Sequence, residues 1–174
     1  MKQLLLGFAA SIVSLSAMAQ KGPEFPKGWV MYLEEDHGVS TNFTSSPDLF
    51  VSGLRLSPQA TVIPGILRIG ATAGAVFTNK KLDGTFGPNV AIKLAAPDVK
   101  SLGTIFNAQL QLEYLWGTTS NQRLIGGFFH VEIGQRAVIG LGIHRDYVFN
   151  YWWFQGGLGY NLLHKKKVLE DPMK

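Results

Sequence analysis

The stretch Ile105-Phe-Asn-Ala-Gln-Leu-Gln-Leu-Glu-Tyr-Leu-Trp116 decides how the whole chain is read. Phe106, Ala108, Leu110, Leu112, Tyr114 and Trp116 share one parity, and Asn107, Gln109, Gln111 and Glu113 share the other. Side chains alternate across a strand with period two, so this is a strand with one apolar and one polar face. Tyr114 and Trp116 close the apolar row at one end, as aromatic side chains do where hydrocarbon meets headgroups. The stretch reads as one stave of a transmembrane β-barrel.

The same rhythm runs outward in both directions. Downstream, Leu124–Gly134 sets Ile125, Phe129, Val131 and Ile133 against Gly126, Phe128, His130 and Glu132. Ala137 to about Phe149 sets Ile139, Leu141 and Ile143 against Gly140, Gly142, His144 and Asp146. Tyr151–Leu163 sets Trp152, Phe154, Leu158, Tyr160 and Leu162 against Trp153, Gln155, Gly157, Gly159 and Asn161. Upstream, Phe86–Ala96 opposes Val90, Ile92 and Leu94 to Asn89, Ala91 and Lys93, and Ile66–Phe77 opposes Leu67, Ile69 and an alanine row to Arg68, Gly70, Thr72 and Gly74. Leu49–Ser57, ending at Pro58-Gln59, carries Arg55 between Leu54 and Leu56. Trp29–Glu35 is the first strand and admits two registers: Trp29, Met31 and Leu33 outward, or Val30 and Tyr32 outward. Asp36–Asp48 and Thr78–Thr85 are rich in polar and breaker residues and read as connections, as do Gly117–Arg123 and the tight turn at Gln135-Arg136.

The N-terminus reads as an address. Lys2 is a short basic region, Leu4–Leu15 is apolar, and Ala17-Met18-Ala19 is a small-x-small cleavage site. The expected organisation is a cleaved signal peptide at 1–19, an extended leader at 20–28, the barrel at 29–163 and a charged periplasmic tail at 164–174. The mature part has no apolar run of about 18–20 residues, so a helical span is not expected there. The chain contains no cysteine, which removes disulfides, thiol catalysis and cysteine metal ligation. Net charge is +4, but its basic residues are scattered apart from Lys165-Lys166-Lys167, and nucleic-acid binding needs a clustered stripe.

Eight segments of this kind, each long enough for a tilted strand to cross a bilayer, predict an all-β, eight-stranded, antiparallel up-and-down transmembrane β-barrel. An even count returns both ends to the periplasmic side. In pattern, length and leader, the region from Trp29 to Leu163 resembles the small eight-stranded outer-membrane barrels of the OmpA and OmpX type. The resemblance implies the bacterial outer membrane as location, with outer-membrane lipids, lipopolysaccharide and the barrel assembly machinery as partners. Tyr160 and Leu162 suit the terminal signal that such machinery reads, although a charged tail follows them here.

The polar faces collect three cations, Arg55, Arg68 and Lys93, and three acids, Glu113, Glu132 and Asp146, with His130 and His144 beside them. An eight-stranded barrel is just wide enough to be filled by side chains, so these charges are expected to pair in a plugged lumen. A proton or ion path is the sharper alternative. His130-Val-Glu132 and His144-Arg-Asp146 place a histidine and an acid on one face, a spacing that suits a weak metal site or an oriented base. No serine stands beside either histidine, the nearest hydroxyl on the polar face is Thr72, and no metal or cofactor is assigned. Arg145 interrupts an apolar row near the external rim, and with Lys80, Lys81 and Arg123 forms an expected lipopolysaccharide contact. The leading function is a structural or adhesion-type barrel working through its external loops on a partner that the sequence leaves open. The alternatives are a lipid-modifying enzyme of lipid A deacylase or acyltransferase type, marked by a nucleophile, a histidine and an acid converging near the outer leaflet, and a narrow pore.

Overall fold

In a computed structural model, alternation becomes a closed wall. The structure describes residues 28–43, 49–78, 81–95, 98–99, 103–104, 106–134 and 136–163. The expected signal peptide, nearly all of the leader, Lys80 and the C-terminal tail lie outside the described residues. The strands are β1 Trp29–Thr41, β2 Leu49–Ile63, β3 Leu67–Thr78, β4 Lys81–Ala95, β5 Asp98–Val99, β6 Gly103–Thr104, β7 Phe106–Gly117, β8 Arg123–Ile133, β9 Ala137–Asp146 and β10 Tyr151–Asn161. Eight of them form one closed antiparallel barrel in the order β1-β10-β9-β8-β7-β4-β3-β2. The two-residue strands β5 and β6 pair separately, in the connection between β4 and β7. The barrel is all-β and up-and-down: chain neighbours are wall neighbours, and β1 meets β10 to close it.

The barrel is inside-out relative to a water-soluble core. Arg68, Gln109, Gln111 and His130 are fully buried, whereas Leu141 and Leu158 are 68% and 67% exposed. The polar parity of every segment points inward and the apolar parity outward. The register of β1 is settled by the same rule: Val30, Tyr32, Glu34 and Asp36 are buried and Trp29 and Leu33 are exposed.

Four expected boundaries are corrected. The stretch expected as a loop from Asp36 begins as strand, because β1 continues to Thr41 with Asp36 and Ser40 inward and His37 and Val39 outward. Lys81–Thr85 likewise belongs to β4, with Leu82 exposed and Thr85 buried. Where the lumen is polar, polar residues do not mark loops. The second strand passes Pro58 and runs to Ile63. The β2–β3 ladder pairs Leu56 with Ala73 and resumes at Gln59 with Gly70, stepping over the proline, whose nitrogen cannot donate. In the other direction, β9 stops at Asp146 instead of near Phe149. Asp146 accepts from the amides of Val148 and Phe149, both at 3.1 Å, and Asn150 turns the chain at φ 63°. Asparagine tolerates that left-handed backbone better than most residues, which explains so brief a connection.

Glycines make space inside. A Cβ on Gly142 would lie 2.5 Å from the Phe128 ring, so β9 can pass beneath that ring only without a side chain there.

Candidate functional site

The lumen is layered. At the end where the chain enters and leaves, Val30, Tyr32 and Val138 form an apolar cluster. At the loop end, Val51, Val76, Leu115, Leu124 and Trp153 form another, with Tyr151 packed against it. Beyond this roof lies a cavity of about 620 Å³ bordered by Trp153, Tyr151, Phe149, Lys81 and Asp83. Asp83 accepts from Thr118, Thr119 and Ser120 and so ties the loop after β7 to the start of β4.

Between the two apolar layers sits Arg55, carried inward by β2. Its Nη1 donates to Glu113 at 2.7 Å, its Nη2 donates to Glu34 at 3.1 Å, and its Nε meets Asp36. Its guanidinium carbon lies 3.9 Å from the centroid of Phe128, so the apolar face of the cation is covered as well. Two histidines flank the cluster: His130 Nε2 is 2.8 Å from Glu34 and His144 Nε2 is 2.8 Å from Glu113. Both rings pack on Phe128 with centroids 5.3 Å away.

Glu113 shows how such a charge is kept inside. Its Oε1 accepts from Arg55 and His144, and its Oε2 accepts from Thr72 and Gln111, both at 3.0 Å. The four acceptor positions of an ionised carboxylate are all used. The web extends outward: Gln59 donates to Gln111 at 2.7 Å and Asn89 to Thr72 at 2.9 Å. Because Thr72 spends its proton on Glu113, Ser57, 3.2 Å away, is the donor of their hydrogen bond.

The expected site residues divide. Arg55, Glu113, His130 and His144 meet as one cluster. Arg68, Lys93, Glu132 and Asp146 are buried in the lumen as anticipated, with different partners. Arg68 donates to the hydroxyl of Tyr32 at 2.7 Å. Glu132 accepts from Asn107 at 3.2 Å and Asn161 at 3.4 Å. Asp146 accepts from Gln122 and from its own turn. The expected balance of three charges against three is corrected: Glu34 and Asp36, both on Arg55, add two carboxylates. The signal for them was the unbroken alternation Val30, Tyr32, Glu34, Asp36, which the polar composition after Glu35 obscured.

At the loop end of the outer wall, Arg145 bonds to Asn150 and lies 5.0 Å from the Trp152 ring. Arg123 donates to the Gln122 carbonyl at 3.0 Å beside an open groove lined by Phe86 and Trp116. Lys81 borders the loop-end cavity instead of the wall. Among the described residues, no group of three or more histidine, cysteine or acidic side chains is arranged to hold a metal.

No family model, no curated protein and no solved structure matches this chain. The closed eight-stranded wall is shared by many barrels and does not by itself single out the OmpA and OmpX type.

Proposed function

We propose that this chain is an outer-membrane β-barrel with a filled, non-conducting lumen, exported through its N-terminal signal sequence. It works through its exterior, where the loops meet a surface partner and the wall meets lipid and lipopolysaccharide. The observation that carries this reading is the inversion of burial: a hydrogen-bonded charge cluster inside and rows of leucine, isoleucine, valine and aromatic side chains outside. In water such an exterior would drive aggregation, because large contiguous apolar patches are rare on soluble monomers. In a bilayer it is what lipid requires, since a closed barrel pairs its strand amides within the wall. Aromatic residues support the same orientation at the loop end, where Phe86, Tyr114, Trp116 and Tyr147 lie within about 5–6 Å of one another in successive ring contacts.

The pore alternative is disfavoured by the filling. Phe128 and Trp153 are 1% and 3% exposed, and the Arg55 cluster lies between apolar layers. Purified protein in planar bilayers is expected to give no stable single-channel steps. Large, reproducible single-channel steps from the folded protein would establish a pore instead. Fractionation tests the location: the chain should remain with outer membranes through carbonate washing, and recovery in the soluble fraction would contradict the proposal.

A further inference from the structure

Among the described residues, the outward face carries a polar patch on β1 and β2 that its neighbours do not explain. On β1, Glu35 and His37 both point outward with side chains 65% and 52% exposed, and His37 Nε2 lies 3.0 Å from Glu35 Oε1. Directly across the ladder from His37 is Ser52 of β2. Ser52 faces outward too, since Val51 and Gly53 on either side of it are buried. Side chains directly opposite on one face of an antiparallel pair have Cβ atoms roughly 4.5–5.5 Å apart. The His37 ring stacks on Phe50, two residues from Ser52 on the same face of β2, with centroids 6.0 Å apart. On the other flank the partner of His37 is Gly156, where an added Cβ would find only Leu141, at 3.9 Å. The wall is therefore notched beside the histidine. Leu54 and Leu158 flank Glu35, so the patch is ringed by apolar side chains.

Ionisable side chains facing hydrocarbon are costly and are retained where they act. Here an acid holds a histidine, and the residue paired with that histidine across the ladder carries a hydroxyl, which brings together the parts of acid–histidine–serine catalysis. We propose that Ser52, His37 and Glu35 form a lipid-facing hydrolytic site for the carboxylic ester of a membrane lipid's acyl chain. The inference rests on the membrane reading above. The substrate class follows from access: the site opens onto the apolar wall, so the ester that reaches it is one that resides in the bilayer.

In the reaction, the Ser52 Oγ attacks the ester carbonyl while its proton passes to His37. The C–O bond to the lipid alcohol then breaks, the alcohol leaves with the proton from His37, and the acyl group remains on Ser52. Water, deprotonated by His37, attacks the acyl-serine and releases the fatty acid, restoring the Ser52 hydroxyl. Glu35 is a positioning residue that fixes the ring.

The test uses the full mature barrel refolded into vesicles of phosphatidylethanolamine and phosphatidylglycerol, and separately into the same vesicles carrying lipopolysaccharide. Three readouts are taken: flotation with the vesicles, fatty-acid release, and labelling by a fluorophosphonate probe. The expected result is flotation, release from at least one vesicle type, which tells a glycerol ester from a sugar-linked one, and a label on Ser52. Ser52→Ala should float normally and lose both release and label. His37→Ala should lower release on the order of 100-fold or more, the usual share of a general base. Glu35→Gln should lower kcat with KM nearly unchanged, and Glu35→Asp should recover part of the loss. A wild-type barrel that floats but neither releases fatty acid nor takes the label overturns the site and leaves the membrane reading intact. Release that persists in Ser52→Ala overturns it as well. A chain that does not float removes the membrane reading, and the proposed site with it.

Discussion

Arg55→Met should destabilise the barrel more than any other single lumen substitution. The guanidinium meets Glu34, Asp36 and Glu113, and none of these carboxylates is more than 4% exposed. Methionine fills much of the volume but leaves three buried acids without their shared cation. Removing one partner of a buried pair typically costs about 3–5 kcal/mol, so a hub serving three should cost at least that. Against a typical total of about 5–15 kcal/mol, this approaches failure to fold. Urea titration in detergent micelles, followed by the shift in electrophoretic mobility between folded and unfolded barrel, measures it. Adding Glu113→Gln to Arg55→Met should restore part of the loss, because the two residues share one interaction and their effects are not additive. A variant within about 1 kcal/mol of wild type would mean that the cluster is spectator filling.

Leu141→Arg is the second large effect, and its sign discriminates between environments. Leu141 points outward from the middle of β9, 68% exposed, between the outward-facing Ile139 and Ile143. On the surface of a water-soluble barrel, an exposed leucine replaced by arginine would change stability by no more than about 0.5 kcal/mol. Facing the middle of a bilayer, the same change should cost roughly 2–4 kcal/mol. Unfolding titrations in vesicles read the difference directly. A neutral outcome at Leu141 would place the wall in water.

Parity alone made most of the architecture legible. In the segment Phe106–Trp116 the alternation is borne out where burial is clear-cut: Gln109, Gln111 and Glu113 are buried, and Phe106 and Leu112 are exposed. The closed eight-stranded wall follows from repeating that pattern. What escaped was the loop-end half of β1. Asp36-His-Gly-Val-Ser-Thr has the composition of a loop, and only its alternation shows that it continues the wall. The open register of Trp29–Glu35 hid Glu34 from the lumen charges, and the loop reading from Asp36 onward hid Asp36. That loop reading also hid the outer patch, since Glu35 and His37 come near Ser52 only through the pairing of β1 with β2. Glu35 and His37 lie along β1, and Ser52 joins them only across the ladder to β2, on the face of the wall opposite to His130 and His144. Spacing within a strand carries no information about such a pairing; register does.

The most direct test of the account uses the absence of cysteine, which lets single labels be placed without background. A bimane-type fluorophore attached to a cysteine at Ile139, Leu141 or Ile143 should be quenched by brominated acyl chains and ignored by iodide in water. Quenching by iodide at these positions, with no response to brominated lipid, would contradict a barrel whose charges are inside and whose apolar wall faces the bilayer.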